Sequence, residues 1–292
     1  MDTKRIGVLA IICASVLWAV EPVLTKLAYR NADFLETSTI RAIFVALAAL
    51  PYAIITGRRS GLGVSRRQLP KLLYLGIAGT IVADLAYYFS LTRIPVINAV
   101  LIGHMQPIFI VILGFALLKE DKLTVSDYLG IVIMVVAGLL VTTKTMANLT
   151  ALRLGTSGDL FVLLATFAWA TTAIVMRKYL RDMNAGALVF YRFSIGAVVF
   201  AVYLLAKSSF RISNVYQVVV GILVGVGSIL YYESLKRIKA AQVSALELST
   251  PFFAAFLGLV VLKESVTIMQ VLGIGLLFAG VHFLSKKEEA YF

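Results

Sequence analysis

Ten long apolar runs fill this chain, broken by short stretches rich in charge, Gly, Pro or Ser. They are residues 6–28, 36–57, 70–92, 95–118, 124–143, 157–179, 185–206, 216–235, 240–262 and 266–285. An α-helix rises about 1.5 Å per residue, so about 20 apolar residues cross a hydrocarbon core of about 30 Å. The pattern predicts an all-α integral membrane protein with ten transmembrane helices, five in each half. Only Arg93-Ile94-Pro95 separates the third run from the fourth. Pro lacks the N–H that would continue a helix and disfavours helical backbone in the residue before it, so the break falls there.

The two halves repeat each other. Residues 87–107 read YYFSLTRIPVINAVLIGHMQP and residues 231–251 read YYESLKRIKAAQVSALELSTP. At the same offset Lys119-Glu120 falls on Lys263-Glu264. Earlier in the chain Trp18, Lys26 and Arg41 match Trp169, Arg177 and Arg192. The expected units are residues 1–143 and 157–292, joined by a linker at 144–156. A duplicated bundle of membrane helices is a transporter signal.

Composition agrees with the apolar pattern. The chain has 292 residues, 60% hydrophobic and 14% charged, with mean hydropathy +0.93. A soluble domain is about 45–50% apolar and about 25% charged, so the lipid bilayer must solvate most of this surface. The net charge of +12 sits in short clusters between the apolar runs and not on a polar domain, which argues against nucleic acid as a partner. One cysteine, Cys13, excludes an internal disulfide, and two histidines, His104 and His282, argue against a metal site. The first apolar run follows Lys4 and Arg5 but is too long for a signal peptide core and lacks a clear cleavage site; it reads as the first spanning helix. No HExxH, Walker A or Ser-His-Asp pattern is present. The expectation is a non-enzyme without a cofactor, driven by gradients.

Charge placement orients the helices. With the N-terminus inside, seventeen of the 27 Lys and Arg fall on the cytoplasmic side and eight on the other, with Arg41 and Arg192 inside spans. The positive-inside rule then places both termini and the 58–69 loop in the cytoplasm of a cell (inner) membrane. Five is odd, so the second half enters from the opposite face. The halves are expected to be inverted repeats, related by a pseudo-two-fold axis in the membrane plane.

Candidate chemistry gathers near the helix breaks. Pro107 and Pro251 are matched positions, each freeing the carbonyl four residues earlier, at Gly103 and Glu247. Polar residues precede them: His104 and Gln106 in one half, Glu247, Ser249 and Thr250 in the other. Matched Pro-broken spans point to a midplane binding site, although paired packing kinks would look the same. Glu21, Arg41, Asp84, Arg192 and Glu247 are charged residues within spans. Such charges are costly in lipid and should face a cavity or a partner. Asp84 and His104 fall near the midplane, Glu21 toward the outer third and Glu247 toward the inner third.

Glu21, Asp84 and Glu247 are the candidate proton-coupling acids. Asp84 has Ser228 as its repeat counterpart, so three roles stay open for it: proton carrier, ammonium ligand, or a brace for Arg41 or His104. Arg41 and Arg192 read either as braces or as contacts for a substrate carboxylate. Tyr87-Tyr88 and Tyr231-Tyr232 could line a cavity or form an interfacial belt. Trp18 and Trp169 lie too deep for a belt and are expected in the cavity or in helix packing. Glu233 near Lys236 and Arg237 reads as an ion pair at a helix end, and Gly221, Gly225, Gly273 and Gly280 as close-packing positions.

Trp18 with Lys26 eight residues on, the Arg41/Arg192 pair, and the pattern running from Ser90 to Pro107 and then Leu118-Lys119-Glu120, repeated from Ser234 to Pro251 and Leu262-Lys263-Glu264, together resemble the drug/metabolite transporter superfamily. The likeness is strongest to its EamA-type members, which include bacterial amino-acid and metabolite exporters, and it covers essentially the whole chain. The resemblance implies a basket of ten helices around a central cavity lined by the third, fourth, eighth and ninth spans among others. The four-helix multidrug relatives carry a first-helix Glu; Glu21 is similar in kind, about one turn past the matching position. The implied function is export of a small metabolite by alternating access, with protons as a candidate coupling ion. Drugs and nucleotide- or lipid-linked sugars are the alternative cargo, and a membrane-embedded enzyme or receptor the more distant one.

Overall fold

The computed structural model describes residues 3–57, 62–114, 116, 125–153, 155–180, 182–238, 243, 246–247 and 249–285. Within them there are helices and connecting turns and no strand. The helices are α1 (Thr3–Ala28), α2 (Phe34–Thr56), α3 (Leu69–Leu91), α4 (Val96–Gly103), α5 (Gln106–Leu113) and α6 (Val125–Thr143) in the first half. A short α7 (Met146–Thr150) lies in the expected linker, followed by α8 (Ser157–Tyr179), α9 (Ala185–Ala206), α10 (Val215–Leu235), α11 (Ser249–Leu262) and α12 (Ile268–Ser285). Six of them, α1, α2, α3, α8, α9 and α10, are long and apolar enough to cross a membrane; the remaining apolar helices are shorter.

Local chemistry starts and stops these helices. The Asp33 carboxylate accepts from the backbone N–H of Leu35 and Glu36 at the start of α2. Thr156 with Asp159, and Asn214 with Gln217, form reciprocal capping boxes on α8 and α10. Such caps satisfy backbone donors that have no partner inside the helix. As the sequence predicts, α3 ends at Leu91 and α4 begins just past Pro95. The fourth apolar run is not continuous: α4 ends at Gly103, a turn spans His104 and Met105, and Pro107 enters as the second residue of α5. Pro251 likewise lies in the first turn of α11. Pro fits the first turn of a helix, where its missing N–H loses no bond. The middle of α3, Leu75–Asp84, is a ten-residue π-helix. Such segments are rare and are found at functional sites.

Packing sorts the helices into two groups. In one, α1 packs on α10 and α11, and α2 on α10. In the other, α8 packs on α3 and on α4–α5, and α9 on α3. The groups meet along α2 with α9 and α4 with α11, while α6 and α12 pair beside them. Exchanging elements between the halves maps the contacts of α1 with α10, α1 with α11 and α2 with α10 onto those of α8 with α3, α8 with α5 and α9 with α3; the counterpart of α4 lies largely outside the described residues. Each group thus draws elements from both halves, and the cavity described below lies between the groups. Bulky apolar residues such as Ile55, Val132, Val198 and Val271 remain exposed, as a lipid-facing surface requires.

Lipid tails are as apolar as Leu, so close packing and interhelical hydrogen bonds hold such helices together. Buried Asn98 on α4 donates to Asp159 on α8 and accepts from Gln270 on α12, tying three helices. Gly273 and Gly280 lie against α6, and Gly221 and Gly225 against α2. A Cβ on Gly221 would come within 2.7 Å of the Arg41 carbonyl oxygen, and backbone cannot step aside as a side chain can. Gly221→Leu is therefore expected to destabilise the protein by at least about 1–3 kcal/mol, the usual cost of overpacking. Thermal unfolding followed by Trp fluorescence checks this; an unchanged midpoint would mean that α2 and α10 do not need this approach.

Candidate functional site

Between the two groups lies a cavity of about 210 Å³. Its wall includes Trp18 and Glu21 from α1, Arg41 from α2, Asp84, Tyr87 and Tyr88 from α3, and His104, Gln106 and Pro107 at the α4–α5 break. Trp169 from α8, Arg192 from α9, Ser228, Tyr231 and Tyr232 from α10, and Glu247 and Thr250 at the start of α11 complete the polar and aromatic lining. Both tyrosine pairs and both tryptophans are therefore cavity residues. Trp18 contacts Tyr231 at 5.2 Å between ring centroids, and Trp169 contacts Tyr87 at 5.3 Å. The repeat correspondence turns each aromatic pair into the other.

One buried carboxylate anchors the site. Asp84 Oδ2 accepts from Arg41 Nη2 at 2.9 Å, and Oδ1 accepts from Arg192 Nη2 at 3.0 Å and from Trp169 Nε1 at 2.8 Å. Asp84 and Arg41 are nearly inaccessible to solvent. Of the roles open for Asp84, the brace is the one its contacts fill, and it braces Arg192 as well as Arg41. Its three donors leave little capacity to hold a substrate ammonium. Gly79 in the π segment makes the reach of Arg192 geometrically feasible: a Cβ there would approach its Nε to 2.9 Å, and the Gly79 carbonyl accepts from Nη2 at 3.3 Å. The Arg41 guanidinium also lies 4.1 Å from the Tyr88 ring centre, a cation–π contact.

The other two acids differ from Asp84 and from each other. Glu21 accepts a hydrogen bond from the Tyr88 hydroxyl, which links α1 to α3. Glu247 is half-buried on the cavity wall, and among the described residues no hydrogen bond or ion pair to its carboxylate is found. His104 Nδ1 lies 2.7 Å from the Val100 carbonyl, which can only accept, so Nδ1 carries the proton and Nε2 is left as a buried acceptor without a partner. Thr250 Oγ1, Arg41 Nε and Arg192 Nε are likewise buried and unpartnered. An unsatisfied buried polar atom costs about 1–3 kcal/mol, so this cavity holds binding capacity that the protein does not use on itself.

Ser249 is not among the wall residues; its hydroxyl donates back to the Leu246 carbonyl at 2.8 Å, and its neighbour Thr250 takes the wall position. Glu233 pairs with Lys236 at 3.0 Å and with Arg237, as a helix-end ion pair should.

A contact missed in the sequence joins the two helix groups. Glu264, just past α11, bonds Lys26 Nζ at 2.9 Å and accepts from the Val96 backbone N–H at 2.8 Å. It therefore ties α1 and α11 in one group to the N-terminus of α4 in the other. The repeated Leu-Lys-Glu pattern was its signal; the matching Lys119 and Glu120 lie outside the described residues, as do Arg58 and Arg59 of the expected cytoplasmic loop. Glu264→Ala should lower stability by about 1.5–3 kcal/mol, more than Lys26→Met, because it removes the α4 cap along with the ion pair. Thermal unfolding of the two variants ranks them; an equal loss would show that the cap contributes nothing.

Comparison with known proteins shows the family. A family model described as the EamA-like transporter family matches residues 5–143 and 156–286. An uncharacterized transporter of Archaeoglobus fulgidus is 22% identical over 95% of this chain and 97% of its own length. The pseudopaline exporter CntI of Pseudomonas aeruginosa is 26% identical over 68% of this chain and 66% of its own. An uncharacterized transporter of Methanothermobacter thermautotrophicus is 24% identical over 76% of this chain, and the match spans 66% of that relative's length. A solved crystal structure shares the fold, with a TM-score of 0.67 over 97% of this chain and 98% of that one at 16% identity. The chain is a multi-pass membrane protein of the EamA-like transporter family, within the drug/metabolite transporter superfamily.

Proposed function

We propose that this protein exports a small zwitterionic metabolite of the amino-acid class across the cell (inner) membrane by alternating access. The observation that carries the reading is a small cavity between two helix groups, lined by both positive and negative side chains. At about 210 Å³ it falls below the roughly 300–1,000 Å³ of pockets that take drug-sized ligands. That size argues against drugs and nucleotide- or lipid-linked sugars as cargo.

In this reading ten spans form two inverted five-helix repeats, residues 1–143 and 157–292, around a linker at 144–156, with both termini cytoplasmic. The exchange symmetry of the helix contacts supports it. Such symmetry gives two states of similar energy, reached by rocking one group against the other around the site. The Glu264 contacts tie the two groups together in one of these states. Glu247 is the acid best placed to couple protons, because its carboxylate is free of partners among the described residues.

Counterflow tests the function. Proteoliposomes preloaded with one unlabelled amino acid are expected to accumulate the same labelled compound transiently. A panel of amino acids, sugars and nucleotides without any counterflow, or with counterflow of sugar nucleotides alone, would overturn the substrate class.

A further inference from the structure

We infer that the two ends of the cavity's ligand have separate subsites: the Arg41/Arg192 guanidinium pair for a carboxylate, and Glu247 with His104 and Thr250 for a primary ammonium group. This deepens the proposed zwitterion reading and rests on it.

The cavity residues leave hydrogen-bonding capacity unused. On one side two guanidiniums share the single Asp84 carboxylate, each through one nitrogen, at 2.9 and 3.0 Å. Both Nε donors are buried and unbonded. Both Nε groups are donors, and a carboxylate is the small group that matches them; Glu21, the other acid near Arg41, accepts from the Tyr88 hydroxyl. Asp84 then serves as the internal counter-anion that keeps the arginines apart from lipid when no ligand is bound.

On the other side the unused groups accept. Glu247 has no partner among the described residues, His104 presents a bare Nε2, and Thr250 has an unbonded hydroxyl while being almost wholly buried. Two acceptors and a hydroxyl match the three N–H donors of a primary ammonium, and the carboxylate supplies the charge. His104 directly follows α4 and Thr250 lies on α11, and these two helices are in contact, so both groups of helices reach this subsite. Arg41 also lies in one group and Arg192 in the other. A zwitterion would therefore be held at each end from both sides of the moving interface.

The test is counterflow with L-alanine, L-leucine and L-phenylalanine, each beside its N-acetyl derivative and its decarboxylated amine. The wild type should take at least one free amino acid ten-fold or more faster than either derivative. Glu247→Gln should lose ten-fold or more on that amino acid while uptake of its N-acetyl form stays level or rises. Thr250→Val should lose a smaller, few-fold amount with the same selectivity shift; it keeps the test open where Glu247→Gln does not yield folded protein. Unchanged selectivity in a folded variant would overturn the subsite assignment and leave the zwitterion reading standing. A wild type that takes none of the three free amino acids would overturn both.

Discussion

Asp84→Asn is expected to be among the most damaging single changes in this protein: about 3–5 kcal/mol of stability lost, and transport with it. Asp84 holds two buried guanidiniums and an indole N–H, and it joins α2 in one helix group to α3, α8 and α9 in the other. Asparagine keeps the shape but removes the charge. Two arginines then face each other in a low-dielectric interior, and breaking a buried pair by deleting one partner leaves an uncompensated charge. Pairing the change with Arg192→Gln should recover part of the loss, because one surplus charge goes with it. Thermal unfolding of the single and double variants, read beside Arg192→Gln alone, forms the cycle. Strict additivity would show that Asp84 and Arg192 act independently.

The second large effect is at the helix break. Gln106→Trp should abolish counterflow while leaving the unfolding midpoint within a few degrees of wild type. Gln106 lines the cavity where α5 restarts, and an indole there would take up much of about 210 Å³. Ser249→Ala should leave uptake within two-fold, because that hydroxyl is spent on the Leu246 carbonyl. Transport by Gln106→Trp at the wild-type rate would place the ligand path elsewhere.

The contrast between those two positions marks how far the sequence could be read. The apolar runs, the repeat and the Pro pair located the breaks, because each signal is local and strong. Trp18, Trp169, Tyr87, His104, Gln106 and Glu247 were legible as cavity candidates because polar or outsized side chains in apolar runs need a reason to be there. Which side of a helix they occupy is harder to read. Adjacent residues on a helix point about 100° apart, so Ser249 and Thr250 differ in face by one step. The Pro breaks and the π segment reset that phase, and regular periodicity cannot be carried across them. Partners were less legible still. Pairing Asp84 with Arg192 requires knowing that α9 packs on α3 and that Gly79 leaves room for the guanidinium. The role of Glu264 was hidden because a backbone N–H, such as that of Val96, leaves no trace in sequence.

In the proposed transport cycle the two helix groups part and rejoin around this cavity for cargo to cross. With Cys13→Ser as background, cysteines at Lys26 and Pro95 place one thiol on α1 and one just before α4, the two elements that Glu264 ties together. A short reducible bis-thiosulfonate cross-linker joins them in proteoliposomes. Counterflow should stop when they are linked and return on reduction, with either single-cysteine protein unaffected. Wild-type counterflow by fully cross-linked protein would contradict the account.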